Sequence, residues 1–190
     1  MSGTEFYRIT VTGDPGSGKS TFARAVADRT GFRLITTGNI FRQTAADMGI
    51  SVTALNELAE KQAEIDAKVD DYLVSLNDTA ESLVLDSRMA WHFVQDTLKV
   101  RLTVDPDVAV ERIFKDTADL REKFDTLEQA VEEVARRKKS EILRYKSLYG
   151  VDIGDESNFD LVINTSHKAP KDITHAFEEA FEAYKKHRNA

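Results

Sequence analysis

Residues 13–20 read Gly-Asp-Pro-Gly-Ser-Gly-Lys-Ser, a full match to G-x-x-x-x-G-K-[ST], and Thr21 follows. This motif constrains the fold because it works only as the turn between a buried strand and a helix. Both neighbours have that character. Tyr7-Arg8-Ile9-Thr10-Val11-Thr12 is β-branched and aromatic and predicts a buried first strand. Residues 18–30 predict a helix with Phe22, Ala25, Val26 and Ala27 as its apolar positions and Gly31 as its C-cap. In that setting loop N–H groups wrap a β-phosphate and the helix N-terminus favours the anion. Lys19 reaches the β- and γ-oxygens, and the Ser20 hydroxyl ligates Mg²⁺. The run Gly13, Asp14, Pro15, Gly16, Ser17, Gly18, Lys19, Ser20 and Thr21 is therefore the expected ATP site.

The rest of the chain alternates strand and helix. Arg33-Leu34-Ile35-Thr36 predicts a second strand, followed by helical stretches over 39–48, 52–62 and 64–77. The last carries Ile65, Val69, Tyr72, Leu73 and Leu76 along one face. Further strands are expected over 82–86, 99–104 and 161–164. Asp105-Pro106 reads as an N-cap acid with Pro at N1, opening a helix with Val108, Val110, Ile113 and Phe114. Asp125-Thr126-Leu127-Glu128 has capping-box spacing and opens a long charged helix reaching Tyr149. Pro170 begins a terminal helix through Ala176, Phe177, Ala180, Phe181 and Tyr184. The alternation predicts an α/β fold: a five-stranded parallel sheet with helices on both faces, in one domain over 1–190.

Charge and composition exclude several classes of function. A net charge of −7 disfavours non-specific coating of a nucleic acid polymer, yet leaves room for small anionic ligands in a local basic cleft. No apolar run approaches the length of a membrane span, and there is no cysteine for disulfides, thiolate metal sites or prenylation. A monomer in a reducing cytoplasm is the expectation. No His, Asp and Glu set has transition-metal spacing. Trp91 and His92 are expected to pack or line, and His167 to be solvated in a loop.

Asp86 ends the third strand, the place for an acid that holds Mg²⁺ through water, although a strand-end Asp also caps helices. A GTPase switch is excluded: there is no N-K-x-D, and the only D-x-x-G, Asp28-Arg29-Thr30-Gly31, comes too early. Transfer of the γ-phosphoryl group to a small acceptor is preferred. Thr37 and Gly38 follow the second strand and place Arg42 one turn into a helix, and Arg88 emerges two residues past Asp86. Both arginines are thereby expected at the carboxyl edge of the sheet, where open parallel sheets bind ligands. Two guanidinium forks suit a phosphate-bearing acceptor, which a sugar or shikimate would not need. Ordinary surface ion pairs are the plainer account of each. Arg137, Glu141 and Arg144 share one face of the long helix, either as a functional face or as a solvated ladder of ion pairs.

Taken in order, G-x-P-G-S-G-K-S-T, T-G-x-x-F-R, acid-x-R, R-x-x-S-E-x-x-R-Y and L-V-I-N-T-S resemble the nucleoside monophosphate kinases, above all the short, archaeal-like cytidylate kinases. The resemblance spans nearly the whole chain. It implies an adenylate-kinase-like P-loop fold with a helical monophosphate-binding part near 39–77 and a lid near 115–140. It further implies that Arg42 and Arg88 bind the acceptor phosphate, and that Arg137, Glu141 and Arg144 serve the acceptor's sugar and the transferring phosphate. Arg112 and Asn164 fall where that family meets adenine. The sequence departs from the pattern at Ser87, where a glycine is usual, and at Asp116, where a lid arginine is usual and Lys115 is the nearest substitute. The implied reaction is Mg·ATP-dependent phosphorylation of CMP or dCMP. The alternatives are AMP, UMP or another small acceptor, or an ATP-binding regulatory module that transfers nothing.

Overall fold

A computed structural model describes residues 5–115 and 124–188 of the chain, so Asp116 and most of the expected lid loop lie outside the described residues. Five parallel strands form one sheet: β1 (Arg8–Gly13), β2 (Arg33–Thr36), β3 (Leu83–Asp86), β4 (Thr97–Thr103) and β5 (Leu161–Asn164). Their order is β2-β3-β1-β4-β5, which puts β1 at the centre. Val11 lies level with Asp86 on one side of it, and Gly13 with Leu102 on the other. The carboxyl ends of β1 and β3 thus open side by side at the position where the strand order reverses, where such sheets bind ligands.

The helices are α1 (Lys19–Thr30), α2 (Thr37–Asp47), α3 (Val52–Ala59), α4 (Glu64–Ser75), the short α5 (Ala90–Phe93), α6 (Pro106–Phe114), α7 (Leu127–Tyr149) and α8 (Pro170–Arg188). One face of the sheet presents Ile9, Val11, Val84, Leu98, Val100, Leu102 and Ile163 to Phe22 and Val26 of α1 and to Phe177 and Phe181 of α8. The other face packs Ile35, Leu83 and Leu85 on Leu73, Leu76, Ala90 and Val94. Both faces of β3 are buried, which its unbroken apolar run requires. A separate small core of Ala45, Val52 and Leu55 joins α2 and α3 between the second and third strands.

Several local expectations need correction. Ala23, not Ala25, is buried on α1, because the apolar stripe runs through Phe22, Val26 and Ala27. Tyr72 is exposed at the edge of the α4 stripe while Leu73 is fully buried. On α6 the buried residues are Ala109 and Val110, and Phe114 is exposed. Asp105 does sit at the α6 N-cap with Pro106 at N1, but its side chain accepts from Asn164 Nδ2 at 2.9 Å rather than from the helix. The cap of α7 lies one residue later than the spacing suggests: Thr126 Oγ1 accepts from Gln129 N–H at 3.2 Å, and Gln129 Oε1 accepts from the Asp125 N–H at 3.1 Å. β4 begins at Thr97, and its alternation has a physical reason: the face opposite Leu98, Val100 and Leu102 carries the buried Arg101.

Candidate active site

The turn after β1 is held close to β4. The Asp14 N–H donates to Leu102 O at 3.1 Å, and a Cβ on Gly13 would stand 2.3 Å from that same oxygen, so only glycine fits. Gly18 then takes φ of 81° as the N-cap of α1, which has neither a side-chain cap nor an acid in its first turn. An anion is what such an end lacks. From outside, Arg112 donates to Gly16 O at 3.3 Å and to Thr165 Oγ1 at 3.0 Å, and Thr165 Oγ1 donates to Ser17 O at 3.0 Å. Asn164 accepts from the Ser166 N–H at 2.9 Å. Arg112 and Thr165 therefore brace the loop from its outer flank, while Asn164 ties Asp105 to Ser166 beside them.

Beside the loop, a solvent-open cleft of about 710 Å³ is lined by Lys19, Ser20, Thr37, Gly38, Arg42, Asp86, Arg88, Arg137, Glu141 and Arg144, so residues far apart in sequence meet there. A second opening of about 570 Å³ runs past Pro15, Gly16, Ile113, Phe124 and Val134. The two openings share four side chains, Lys19, Arg42, Arg88 and Arg137, all of them cationic.

Glu141 organises this cation cluster. Its side chain is 5% exposed, with Oε2 2.7 Å from Arg88 Nε and Oε1 3.1 Å from Arg137 Nε. Arg88 also donates to Gly13 O at 3.0 Å, and its own carbonyl accepts from Trp91 Nε1 at 2.9 Å and Thr12 Oγ1 at 3.3 Å. Burial pushes the Glu141 carboxyl up, but Arg88, Arg137, Arg144 and Lys19 outweigh it and hold it below its ordinary value. Lys19 has the opposite balance. Burial and the neighbouring Arg88 and Arg137 lower its ammonium to about 7, against the pull of Asp86 and Glu141. These charges are arranged for an occupant more anionic than any group present. Arg42 is half-buried and bonded to Asn39 Oδ1 at 2.5 Å, with its guanidinium lying over Gly38.

Arg144 stands apart from this group. It donates to Asn56 O at 3.3 Å and to the Tyr145 hydroxyl at 2.7 Å, and its Nε lies 3.2 Å from Asp66 Oδ2. Phe41 and Tyr145 put their ring centroids 5.2 and 4.7 Å from its guanidinium carbon. The face of α7 is no solvated ladder, since Glu141 is 3% and Arg144 2% exposed. Asp86 caps no helix; it lies 3% exposed in the wall of the cleft.

The sequence assigns no role to Phe41, Asn56, Asp66, Asp70 and Tyr145, which line the end of the cleft around Arg144. Burial, only partly offset by Arg144, pushes the Asp66 carboxyl up to about 6. Asp70 Oδ2 accepts from the Tyr149 hydroxyl, and burial raises this carboxyl as well. The available signal was two acids at i, i+4 on the edge of the apolar stripe of α4. His167 is exposed, 3.7 Å from Asp105. Among the described residues no helix is long and apolar enough to cross a membrane, and no three metal-ligating side chains cluster.

Known proteins share this fold. Solved structures with the same fold include a shikimate kinase from Bacteroides thetaiotaomicron (TM-score 0.59, 14% identity, 94% of this chain and 98% of that one). A gluconokinase from Sinorhizobium meliloti is similar at TM-score 0.58 and 14% identity, covering 95% and 94%. Both establish the P-loop kinase fold. In sequence, the chain is 36% identical over 158 residues to a cytidylate kinase of Methanothermobacter thermautotrophicus, covering 83% of this chain and 94% of the relative. A cytidylate kinase of Natronomonas pharaonis is 36% identical over 178 residues, covering 93% and 90%. The profile of the Cytidylate kinase-like family matches residues 8–167. With that match spanning most of its length, the chain belongs to the cytidylate kinase-like family of nucleoside monophosphate kinases.

Proposed function

We propose that the protein transfers the γ-phosphoryl group of ATP to CMP or dCMP, giving ADP and the corresponding diphosphate. The observation that carries this reading is the pair of openings that share Lys19, Arg42, Arg88 and Arg137. A donor and an acceptor, each ending in phosphate, meet at such a junction, whereas a regulatory ATP switch has no use for a second anion site. The two relatives named as cytidylate kinases support CMP or dCMP as the acceptor.

The acceptor phosphate is already an oxyanion at neutral pH, so no general base is required, and the barrier lies in bringing two anions together. Lys19 and the loop N–H groups hold the β- and γ-phosphates. Arg42 and Arg88 hold the acceptor phosphate, and Arg137 offsets charge on the group in transit. Glu141 keeps Arg88 and Arg137 apart and aimed, and Arg144 secures the acceptor from the far end. Ser20 and Asp86 fit Mg²⁺, which takes one or two protein oxygens and completes its shell with water and phosphate. When bound there, Mg²⁺ would supply charge neutralisation to the nucleotide's phosphates. Closure of the helical part near 39–77 and of a lid near 115–140 excludes water as a competing acceptor. A monomer working in a reducing cytoplasm completes this reading, in keeping with a sequence that has no cysteine.

The test is ADP release measured with each ribo- and deoxyribonucleoside monophosphate in turn. CMP and dCMP are expected to give the highest kcat/KM. Preference for AMP or UMP overturns the acceptor assignment, and no transfer to any of them overturns the kinase reading.

A further inference from the structure

The end of the cleft away from the phosphate loop is built of apolar walls around carboxylates. Phe41, Val52, Val69 and Leu73 form the walls, and Asp66 and Asp70 project from successive turns of α4. Asp66 is a costly residue to place there. Its side chain is only 8% exposed. Its Oδ2 lies at ion-pair distance from Arg144 Nε, yet neither atom makes an aligned hydrogen bond. Buried polar atoms left in this condition are rare and demand a partner. Asp70 faces the same space, one of its oxygens being held by Tyr149.

On the reading of the protein as a cytidylate kinase, the acceptor's phosphate occupies the arginine junction and its base reaches this end. We infer that Asp66 and Asp70 select the acceptor's base, accepting hydrogen bonds from an exocyclic amine and rejecting a base that presents a carbonyl oxygen there. Ionised carboxylates are acceptors only. A 4-aminopyrimidine offers two N–H bonds, one for each carboxylate. A 4-oxopyrimidine of the same size offers lone pairs instead, and would leave buried carboxylate oxygens unpaired and facing another acceptor. Mispairing of this kind discriminates far more strongly than a difference in shape. The apolar walls suit the faces of a flat ring, and Arg144 keeps the carboxylate pair from repelling itself.

Two variants test the assignment, Asp66→Asn and Asp70→Asn, since an amide can donate to a carbonyl at nearly constant volume. At pH 7.5 the ratio of kcat/KM for CMP over UMP is expected to fall about 10- to 100-fold in each, through the KM of the monophosphate, with the KM of ATP unchanged. Asp71→Asn, exposed one position along α4, serves as the control and leaves the ratio alone. Should loss of the Arg144 partner unfold Asp66→Asn, Asp70→Asn decides the matter, with calorimetric titration of CMP and UMP as a second readout. An unchanged ratio in the folded variants overturns the inference, as does a wild type that accepts UMP as readily as CMP. Either result leaves the monophosphate-kinase reading standing, whereas a wild type that phosphorylates no monophosphate overturns both.

Discussion

Lys19 is the residue with most to gain from a ligand, because it stands partly desolvated beside Arg88 and Arg137 with its ammonium lowered to about 7. A bound triphosphate reverses that balance. ATP binding at pH 8 is therefore expected to take up a proton at this side chain, and calorimetry in buffers of different ionisation enthalpy measures it; an uptake that is the same in Lys19→Ala would refute the assignment. Lys19→Ala is further expected to fold normally and to lose about 10²–10³ in turnover, the usual effect of removing one preorganised charge contact. The two arginines proposed to hold the acceptor phosphate should separate by stability. Arg88 partners the buried Glu141 and the Gly13 carbonyl, so Arg88→Ala strands buried polar atoms and costs about 1–3 kcal/mol. Arg42, half-buried beside Asn39, costs less than 1 kcal/mol when truncated. Both variants weaken CMP more than ATP, and thermal melts read beside separate titrations of the two nucleotides distinguish folding from binding.

At the scale of elements, α7 is the member that touches every part of the site. Over two turns it supplies Arg137, Lys138, Glu141, Arg144 and Tyr145, reaching the phosphate loop, the cation junction, α3 and α4. Asp14 fastens the loop twice, to Arg101 of β4 at 3.1 Å and to Lys138 of α7 at 3.1 Å. These two fastenings are unequal, since Arg101 is 7% exposed and Lys138 48%. Arg101→Ala is expected to lower the melting temperature and raise the KM of ATP, while Lys138→Ala shifts stability by no more than about 1 kcal/mol. Equal losses in the two variants would show that the burial of Arg101 counts for nothing. How legible all this is in sequence follows from distance along the chain. Gly13 through Ser20 form one local motif with one physical purpose, and Asp86 and Arg88 are placed by the strand that ends at them. The one-residue displacement of the α7 cap to Thr126 hides because Asp and Thr both cap well and Glu128 and Gln129 both reach back. Asp66 and Asp70 are invisible for a different reason. An acid beside an apolar stripe usually marks the solvated edge of a helix, and only the packing of α4 against α3 and α7 turns that edge inward.

For the whole molecule, the site is a source of instability that its ligands relieve. The raised Asp66 contributes stability that is present below its ordinary value of 3.8 and lost as pH rises through about 6. The lowered Lys19 contributes stability that is present above 10.5 and lost as pH falls through about 7. Between them the two groups place a minimum in the ligand-free contribution near pH 6–7. Melting temperatures from pH 5 to 9 should show Lys19→Ala flattening the alkaline limb, Asp66→Asn flattening the acid limb, and ATP with CMP reducing both; limbs that persist unchanged in the variants would place the effect elsewhere. The bracing of the phosphate loop has a consequence for a chain as it leaves the ribosome. The loop is made before the residues that brace it: its turn is pinned to Leu102, Gly16 is held by Arg112 and Ser17 by Thr165. A nascent chain that already displays Gly-Asp-Pro-Gly-Ser-Gly-Lys-Ser lacks the last of these braces until Thr165, just past β5, has been synthesised. Full bracing of the nucleotide loop thus comes late in synthesis, after the sheet that carries it is all but complete.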